Sequence, residues 1–360
     1  MSETAVPLPV SVPGSAGVRS AVEERLAVFL DTKACWAAAQ GFPAEVTEVL
    51  RDLVLGGGKL IRPVLCVAGW RAAGGCGDEG PVLRVAVSLE MFHASALVHD
   101  DVMDRSATRR GRPSAHEALT ARHVGRPDAA RLGACAAVLV GDLALAWSDE
   151  LLHTAGLSTD RFAAATVVLD EMRTELMYGQ YLDLLATGRP STDLNAALRI
   201  TRFKSAKYTV EHPLQLGAVL AGAGARIRTT LSAFGLPLGE AFQLRDDLLG
   251  AFGHREHTGK PNLDDLREGK HTVLMALALE RSDSVQRTAL RRLVGDPDLD
   301  EHGAQRARDL LTATGAVSAV EEMIADRHRV ALRALDGACL HPAAVAVLRE
   351  LAATAVVRSS

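Results

Sequence analysis

The sequence predicts an all-α fold in a single domain, and three observations predict it. From about Val18 onward, apolar residues recur at helical spacing between short polar breaks. Hydrophobic residues make up 48% of the chain but aromatics only 4%, so the core must be built from Ala, Leu and Val. That suits close-packed helices better than sheets. No stretch reads as β-rich, and no low-complexity linker after residue 17 divides the 360 residues in two.

Taken in order, residues 1–17 are rich in Pro, Ser, Val and Gly and read as a disordered tail ahead of an all-α domain over 18–360. Periodicity predicts helices over 19–40, 43–55, 61–73, 80–104, 129–154, 159–187, 193–208, 210–222, 226–235 and 238–252. More are expected at 271–281, 283–294, 300–313, 315–336 and 341–357. Breaks fall at Gly56-Gly57-Gly58, Gly74-Gly75, Arg105 to Pro113, Gly188-Arg189-Pro190 and His254 to Gly269.

A net charge of −4 argues against nucleic acid as a partner. The five cysteines (Cys35, Cys66, Cys76, Cys135, Cys339) lack metal-ligand spacing and read as reduced thiols of a cytoplasmic protein. No apolar run is expected to span a membrane, since the best candidate, Ala134 to Trp147, is interrupted by Asp142. The start of the chain lacks the pattern of a signal peptide.

Two acidic clusters carry the chemistry. The first is His99-Asp100-Asp101-Val102-Met103-Asp104, followed by Arg109-Arg110-Gly111. The second is Gln243-Leu244-Arg245-Asp246-Asp247, ahead of a loop with Gly259-Lys260, Asp264, Asp265 and Lys270. Carboxylates this crowded repel one another unless a cation lies between them. Asp100 and Asp104 project from one helix face, with Asp101 about a hundred degrees round. They terminate the apolar run Ala94 to Val98, a poor place for a merely solvated acidic face. Hard cations such as Mg²⁺ take oxygen ligands and complete their shell with water and substrate phosphate. Arg109 and Arg110 offer planar forks of donors that match phosphate.

Gly56-Gly57-Gly58-Lys59-Leu60-Ile61-Arg62-Pro63 opens a helix and forms an anion cradle from backbone N–H groups, Lys59 and Arg62. It is not a P-loop, because no Ser or Thr follows the lysine. His93, two turns before Asp100, reads by itself as a core histidine; only the company of Lys59 and Arg62 makes it an anion donor. Between the clusters lie Gly179-Gln180-Tyr181-Leu182-Asp183 and Lys204-Ser205-Ala206-Lys207.

From Gly56 to Met275 these segments, in order, resemble the trans-isoprenyl diphosphate synthase (polyprenyl synthetase) family, most like its short-chain geranylgeranyl diphosphate synthases. The resemblance implies an isoprenoid-synthase-type helical bundle around a central apolar cavity, a homodimer, and three Mg²⁺ ions per site. It implies head-to-tail condensation of isopentenyl diphosphate with an allylic diphosphate. Asp100, Asp101, Asp104, Asp246 and Asp247 would hold the metal. Arg109, Gln180, Lys204 and Lys260 would contact the allylic diphosphate, and Lys59, Arg62, His93 and Arg110 the isopentenyl diphosphate. Gln243 and Asp183 would support the reaction centre and the metal shell. Two motifs depart from the family pattern: Gly250 replaces the third acid of the second cluster, and His254 and Ser205 stand where Asp and Thr are common. Activity is expected to survive the loss of that acid.

Product length should be set along the helix of the first cluster. Ser95 and Ala96 are small, and Phe92 lies about 12 Å from Asp100 along the axis. Phe92 is therefore the expected floor, with Met91 and Leu89 as further wall, and the expected product is geranylgeranyl diphosphate (C20). C15 and C25 or longer products are the alternatives. A class I terpene cyclase shares the resemblance, but Gly250 and His254 occupy its Ser/Thr and Glu positions and the second set of cations would have no use. A non-catalytic subunit would not need both acid pairs intact.

Overall fold

The structure, a computed structural model, describes residues 14–253 and 263–356. Its described residues are helical apart from loops and one two-stranded hairpin. The helices are α1 (Ser15–Ala39), α2 (Glu45–Leu55), α3 (Ile61–Ala72), α4 (Gly80–Met103), α5 (Ala115–Arg122), α6 (Ala129–His153), α7 (Thr159–Ala186), α8 (Leu194–Ile200), α9 (His212–Ala221) and α10 (Ala225–Phe252). After residue 262 come α11 (Asp264–Glu268), α12 (Val273–Arg281), α13 (Ser284–Leu293), α14 (Glu301–Ala313), α15 (Ala316–Ala334) and α16 (Pro342–Val356). The hairpin pairs β1 (Thr108–Arg109) with β2 (Arg112–Pro113), antiparallel, with Arg109 opposite Arg112.

Several boundaries differ from expectation for identifiable reasons. Residues 1–13 lie outside the described residues, and α1 begins at Ser15, inside the stretch expected to be a tail. The helices expected over 193–208 and 210–222 form one rod, because wide π-type turns over Thr201–Glu211 carry α8 into α9. The pair expected over 226–235 and 238–252 is one helix, α10, running through Pro237. Phe234 and Leu238, both buried, hold it on either side of the missing hydrogen bond. The elements α5, α11 and the hairpin were expected as loop, since pieces this short carry too little periodicity to be read.

Packing brings the two acidic segments into one bundle. α4 lies along α6, α3 crosses α9, and α10 lies against α15 and the π-type turns. The α3–α9 crossing is so close that a Cβ at Gly217 would meet the Cys66 carbonyl oxygen at 1.9 Å. Small side chains at this contact are thus a condition of the architecture rather than a by-product of composition.

Among the described residues two helices, α4 and α6, are long and apolar enough to cross a membrane by length and composition, where none was expected. The single Asp142 does not interrupt the apolar window of α6 enough to disqualify it. The most apolar window of α4 is 72% buried inside the bundle, that of α6 only 28%. All five cysteines are unpaired, Cys66 buried and the others exposed.

Candidate active site

The first acidic cluster ends α4, and its three carboxylates have different partners. Asp100 accepts from Gln180 Nε2 of α7 at 3.0 Å and from Lys204 Nζ of the π-type turns at 3.2 Å. Lys204 also donates to Asp183 at 2.5 Å. Asp104 pairs with Lys270 at 3.3 Å, and Lys270 reaches Glu268 at 2.9 Å and Asp265 at 3.7 Å. Asp101 is turned away and buried, bound by Arg109 through Nε at 2.9 and 3.2 Å and through a second guanidinium nitrogen. This corrects the expectation that all three aspartates present themselves to metal. The hundred-degree rotation that separates Asp101 from Asp100 and Asp104 points it at the hairpin instead.

Local geometry explains why these groups meet. Gly179 lets α7 approach the π-type turns: a Cβ there would lie 2.4 Å from the Lys204 backbone nitrogen. Wide turns of this kind recur at functional sites because they redirect side chains. The hairpin turns at Arg110-Gly111, both at positive φ (52° and 74°), as a two-residue turn of the favoured twist requires. Arg109 is thereby aimed at Asp101, and Arg110 at the glycine turn, where it donates to the Gly57 carbonyl and to Leu53 O at 3.3 Å.

Around the second cluster, Gln243 Nε2 donates to Asp247 at 2.8 Å, one turn along α10. Gly250 is the informative position. A Cβ there would lie 1.9 Å from Asp265 Oδ2, so the carboxylate of Asp265 occupies the space that a third side chain of the second motif would need.

A cavity of about 1010 Å³ collects most of the residues expected from sequence. Asp100, Arg109, Gln180, Asp183, Lys204, Gln243, Asp246 and Asp247 line it, as do Lys59, Arg62, His93 and Arg110. Its apolar part includes Ala96, Leu97 and Leu176. Phe92 and Ser95 are buried in the packing of α4 rather than on the cavity wall. Phe92 lies edge-on to Tyr208 at 5.9 Å, so the apolar residues that α4 gives the wall are Ala96 and Leu97. Lys260, Gly259 and His254 fall outside the described residues.

Sequence reasoning missed Tyr208, Asp265, Lys270 and Glu90 as site residues. Tyr208 bonds His93 Nδ1 at 3.0 Å, and the Arg62 guanidinium lies 4.1 Å over its ring. Its position one turn after Lys204 on the same face was the available signal. Glu90 is buried, with one carboxylate oxygen lacking a hydrogen bond among the described residues, and the charges of Arg62 and Arg110 act on it. The mixture of acids and Lys270 after the second cluster was visible in sequence, but not which of them faces the cavity.

The electrostatics of the two clusters are opposite. Burial would raise the Asp100 carboxyl, yet Lys204, Lys270 and Arg109 hold it down at about 2. Burial pushes Asp247 up to about 8; Gln243 opposes this, while Asp246, Asp265 and Asp183 add to it. One acid is already neutralised by protein cations, while the other has a crowd of carboxylates around it. Burial, followed by Arg62, Arg110 and Arg109, holds His93 well below the usual histidine range, so it faces the cavity as a neutral ring.

With this geometry in view, comparison with known proteins is direct. The polyprenyl synthetase family model matches residues 43–311. The chain is 32% identical over 282 residues to a geranylfarnesyl diphosphate synthase of Aeropyrum pernix, covering 78% of this chain and 83% of that protein. It is 35% identical over 267 residues to a (2E,6E)-farnesyl diphosphate synthase of Mycobacterium bovis, covering 74% and 67%. A solved geranylgeranyl pyrophosphate synthase from Corynebacterium glutamicum, complexed with isoprenyl diphosphate and magnesium, superposes with a TM-score of 0.91 at 38% identity, covering 94% and 98%. The chain belongs to the polyprenyl synthetase family and is a trans-prenyltransferase. The relatives' names differ in prenyl length, so membership does not choose a product.

The raised carboxyl of Asp247 has a measurable consequence. Between pH 6 and 8 the folded, metal-free protein retains a proton here that the unfolded chain has released, so stability falls as pH rises, by up to about 1.4 kcal/mol per unit from this group. Asp247→Asn should flatten that fall. Thermal melts of both proteins across this range, without metal, provide the check, and parallel curves would contradict the assignment.

Proposed function

We propose that this enzyme condenses isopentenyl diphosphate head-to-tail with an allylic diphosphate, with geranylgeranyl diphosphate (C20) as its main product. The observation that carries the reading is that two separate sets of cations reach one cavity. Arg109, Lys204 and Lys270 accompany the acidic clusters, while Lys59, Arg62 and Arg110 form a second group with His93. Two anionic substrates need two such sets; a cyclase, with one diphosphate, does not.

The donor set fits a hard divalent cation. It is made of carboxylate oxygens, and the crowding that adds to burial in raising Asp247 is what an intervening cation relieves. Asp100 and Asp104 would hold Mg²⁺ on one side, and Asp246, Asp247 and Asp265 on the other, with three ions per site as the family resemblance implies. When bound, the metal neutralises charge on the leaving diphosphate. Lys204, Gln180 and Arg109 orient that diphosphate and stabilise the negative charge that builds as the allylic carbon–oxygen bond ionises. Arg62, Arg110 and Lys59 hold the second diphosphate so that its double bond lies against the allyl cation. Attack forms the new carbon–carbon bond, and a proton lost from the adduct passes to the released diphosphate. Ala96, Leu97 and Leu176 keep water from the cation.

A second copy of this chain is the occupant we assign to the exposed apolar face of α6 and α7. Val138 and Leu139 on α6, with Val167, Tyr178, Tyr181 and Leu185 on α7, are between 42% and 69% exposed. Exposed apolar surface of this kind marks association sites, and a self-complementary patch closes as a two-fold dimer.

Three outcomes are expected. Purified protein given Mg²⁺, labelled isopentenyl diphosphate and dimethylallyl, geranyl or farnesyl diphosphate should yield mainly a C20 alcohol after dephosphorylation, and chelation should abolish it. No incorporation with any primer would overturn the reading. Gly250→Ala should displace the Asp265 carboxylate and raise the Mg²⁺ concentration needed for half-maximal activity about tenfold, with the melting temperature nearly unchanged. Leu139→Asp should convert a dimer into a monomer by light scattering after gel filtration; a wild-type monomer would refute the assigned face.

A further inference from the structure

Below the first acidic cluster, α4 and α7 descend in step. Gln180 meets Asp100; one turn lower Ala96 and Leu176 line the cavity; a further turn down, Phe92 meets Arg173. The Arg173 guanidinium carbon lies 5.2 Å from the Phe92 ring centroid. Its NH2 donates to Asp149 Oδ1 of α6 at 2.6 Å and reaches Ser148 Oγ at 3.5 Å. Its buried Nε has no hydrogen-bond partner among the described residues. One turn deeper on α4, Ser88 and Ser148 of α6 bind one another's carbonyl oxygens at 2.8 and 2.9 Å. An apolar throat therefore ends on a charged and hydrogen-bonded layer that ties α4, α6 and α7 together.

We infer that Arg173, held by Asp149 and laid on the Phe92 ring, is a specificity-determining residue that sets the length of the product. The inference rests on the condensation reading above and extends it. A growing hydrocarbon tail can tilt an aromatic ring or displace a leucine at little expense, because the moved group remains among apolar neighbours. Arg173 differs. To pass it, the tail must pull a guanidinium from its carboxylate and from the ring face and offer neither a charge nor an acceptor in return. The side chain is 21% exposed and Asp149 40%, so the pair extends from the buried ring to the surface between α6 and α7 and closes that route too. Phe92 alone, as read from sequence, is half of the stop; the cation that keeps the ring in place is the other half.

The test is the chain-length distribution made by the full-length protein from isopentenyl diphosphate and farnesyl diphosphate with Mg²⁺. Arg173→Met keeps an unbranched apolar stem as far as the Nε position and removes the guanidinium with its charge. It should move the dominant product at least one five-carbon unit beyond wild type with Phe92 still present. Arg173→Lys, which keeps the charge, should stay close to wild type. Asp149→Asn, at the more exposed end of the pair, should shift the distribution in the same direction as Arg173→Met and serves if that variant fails to fold. Wild-type distributions from folded Arg173→Met and Asp149→Asn would overturn the inference, most plainly if Phe92→Ala lengthens the product. No incorporation by the wild-type protein would instead remove the condensation reading, and this inference with it.

Discussion

The arrangement of the site depends on how many carboxylates the bundle brings to one cavity, and on what keeps them there. Asp100, Asp183, Asp246, Asp247 and Asp265 contribute to it, with Asp104 at its edge. Anions crowded into one cavity would force the helices apart or take up protons. The protein answers with Lys204 between Asp100 and Asp183, Lys270 among Asp104, Glu268 and Asp265, and Arg109 clamped to Asp101. The π-type turns, the bare Gly179 and the Arg110-Gly111 turn all serve to deliver those cations.

The compensation is uneven, and the unevenness is informative. Asp100 is held ionised by protein cations, whereas Asp247 is left to the proton. A site that binds metal with an anionic ligand needs both features. Fixed cations meet the ligand's charge, and under-compensated carboxylates are the place for the ion. Gly250 belongs to the same logic. With no side chain at Gly250, the Asp265 carboxylate from the following segment takes up the space beside it, close to the second cluster.

Away from the acids the chemistry of the wall reverses within two helical turns. Ala96, Leu97 and Leu176 make an apolar throat, and the layer beneath it carries Arg173, Asp149, Ser88 and Ser148. A polar layer inside a helical bundle is a strict boundary, because its groups bond to one another (Arg173 Nε excepted) and a hydrocarbon cannot replace those bonds. Depth in this molecule is thus defined by where polarity returns as much as by where a large side chain stands.

The helical architecture, both acidic clusters and most of the basic and polar side chains that line the cavity were legible in the sequence, since each rests on local spacing. Periodicity places Asp100 and Asp104 on one face, and glycine turns mark where helices open. The continuity of α8 into α9 and of α10 through Pro237 was not legible, because tertiary packing overrides a local breaker. Nor was the loss of Asp101 to Arg109, which requires knowing where the hairpin points. Asp265 filling the space beside Gly250, Tyr208 beneath Arg62, and Arg173 across Phe92 all join residues from different helices. The sequence by itself determined which chemical groups this chain carries and at what helical spacing. Only the tertiary structure decided which of them share a cavity and which neutralise each other, because charge and packing act through distance in space rather than along the chain.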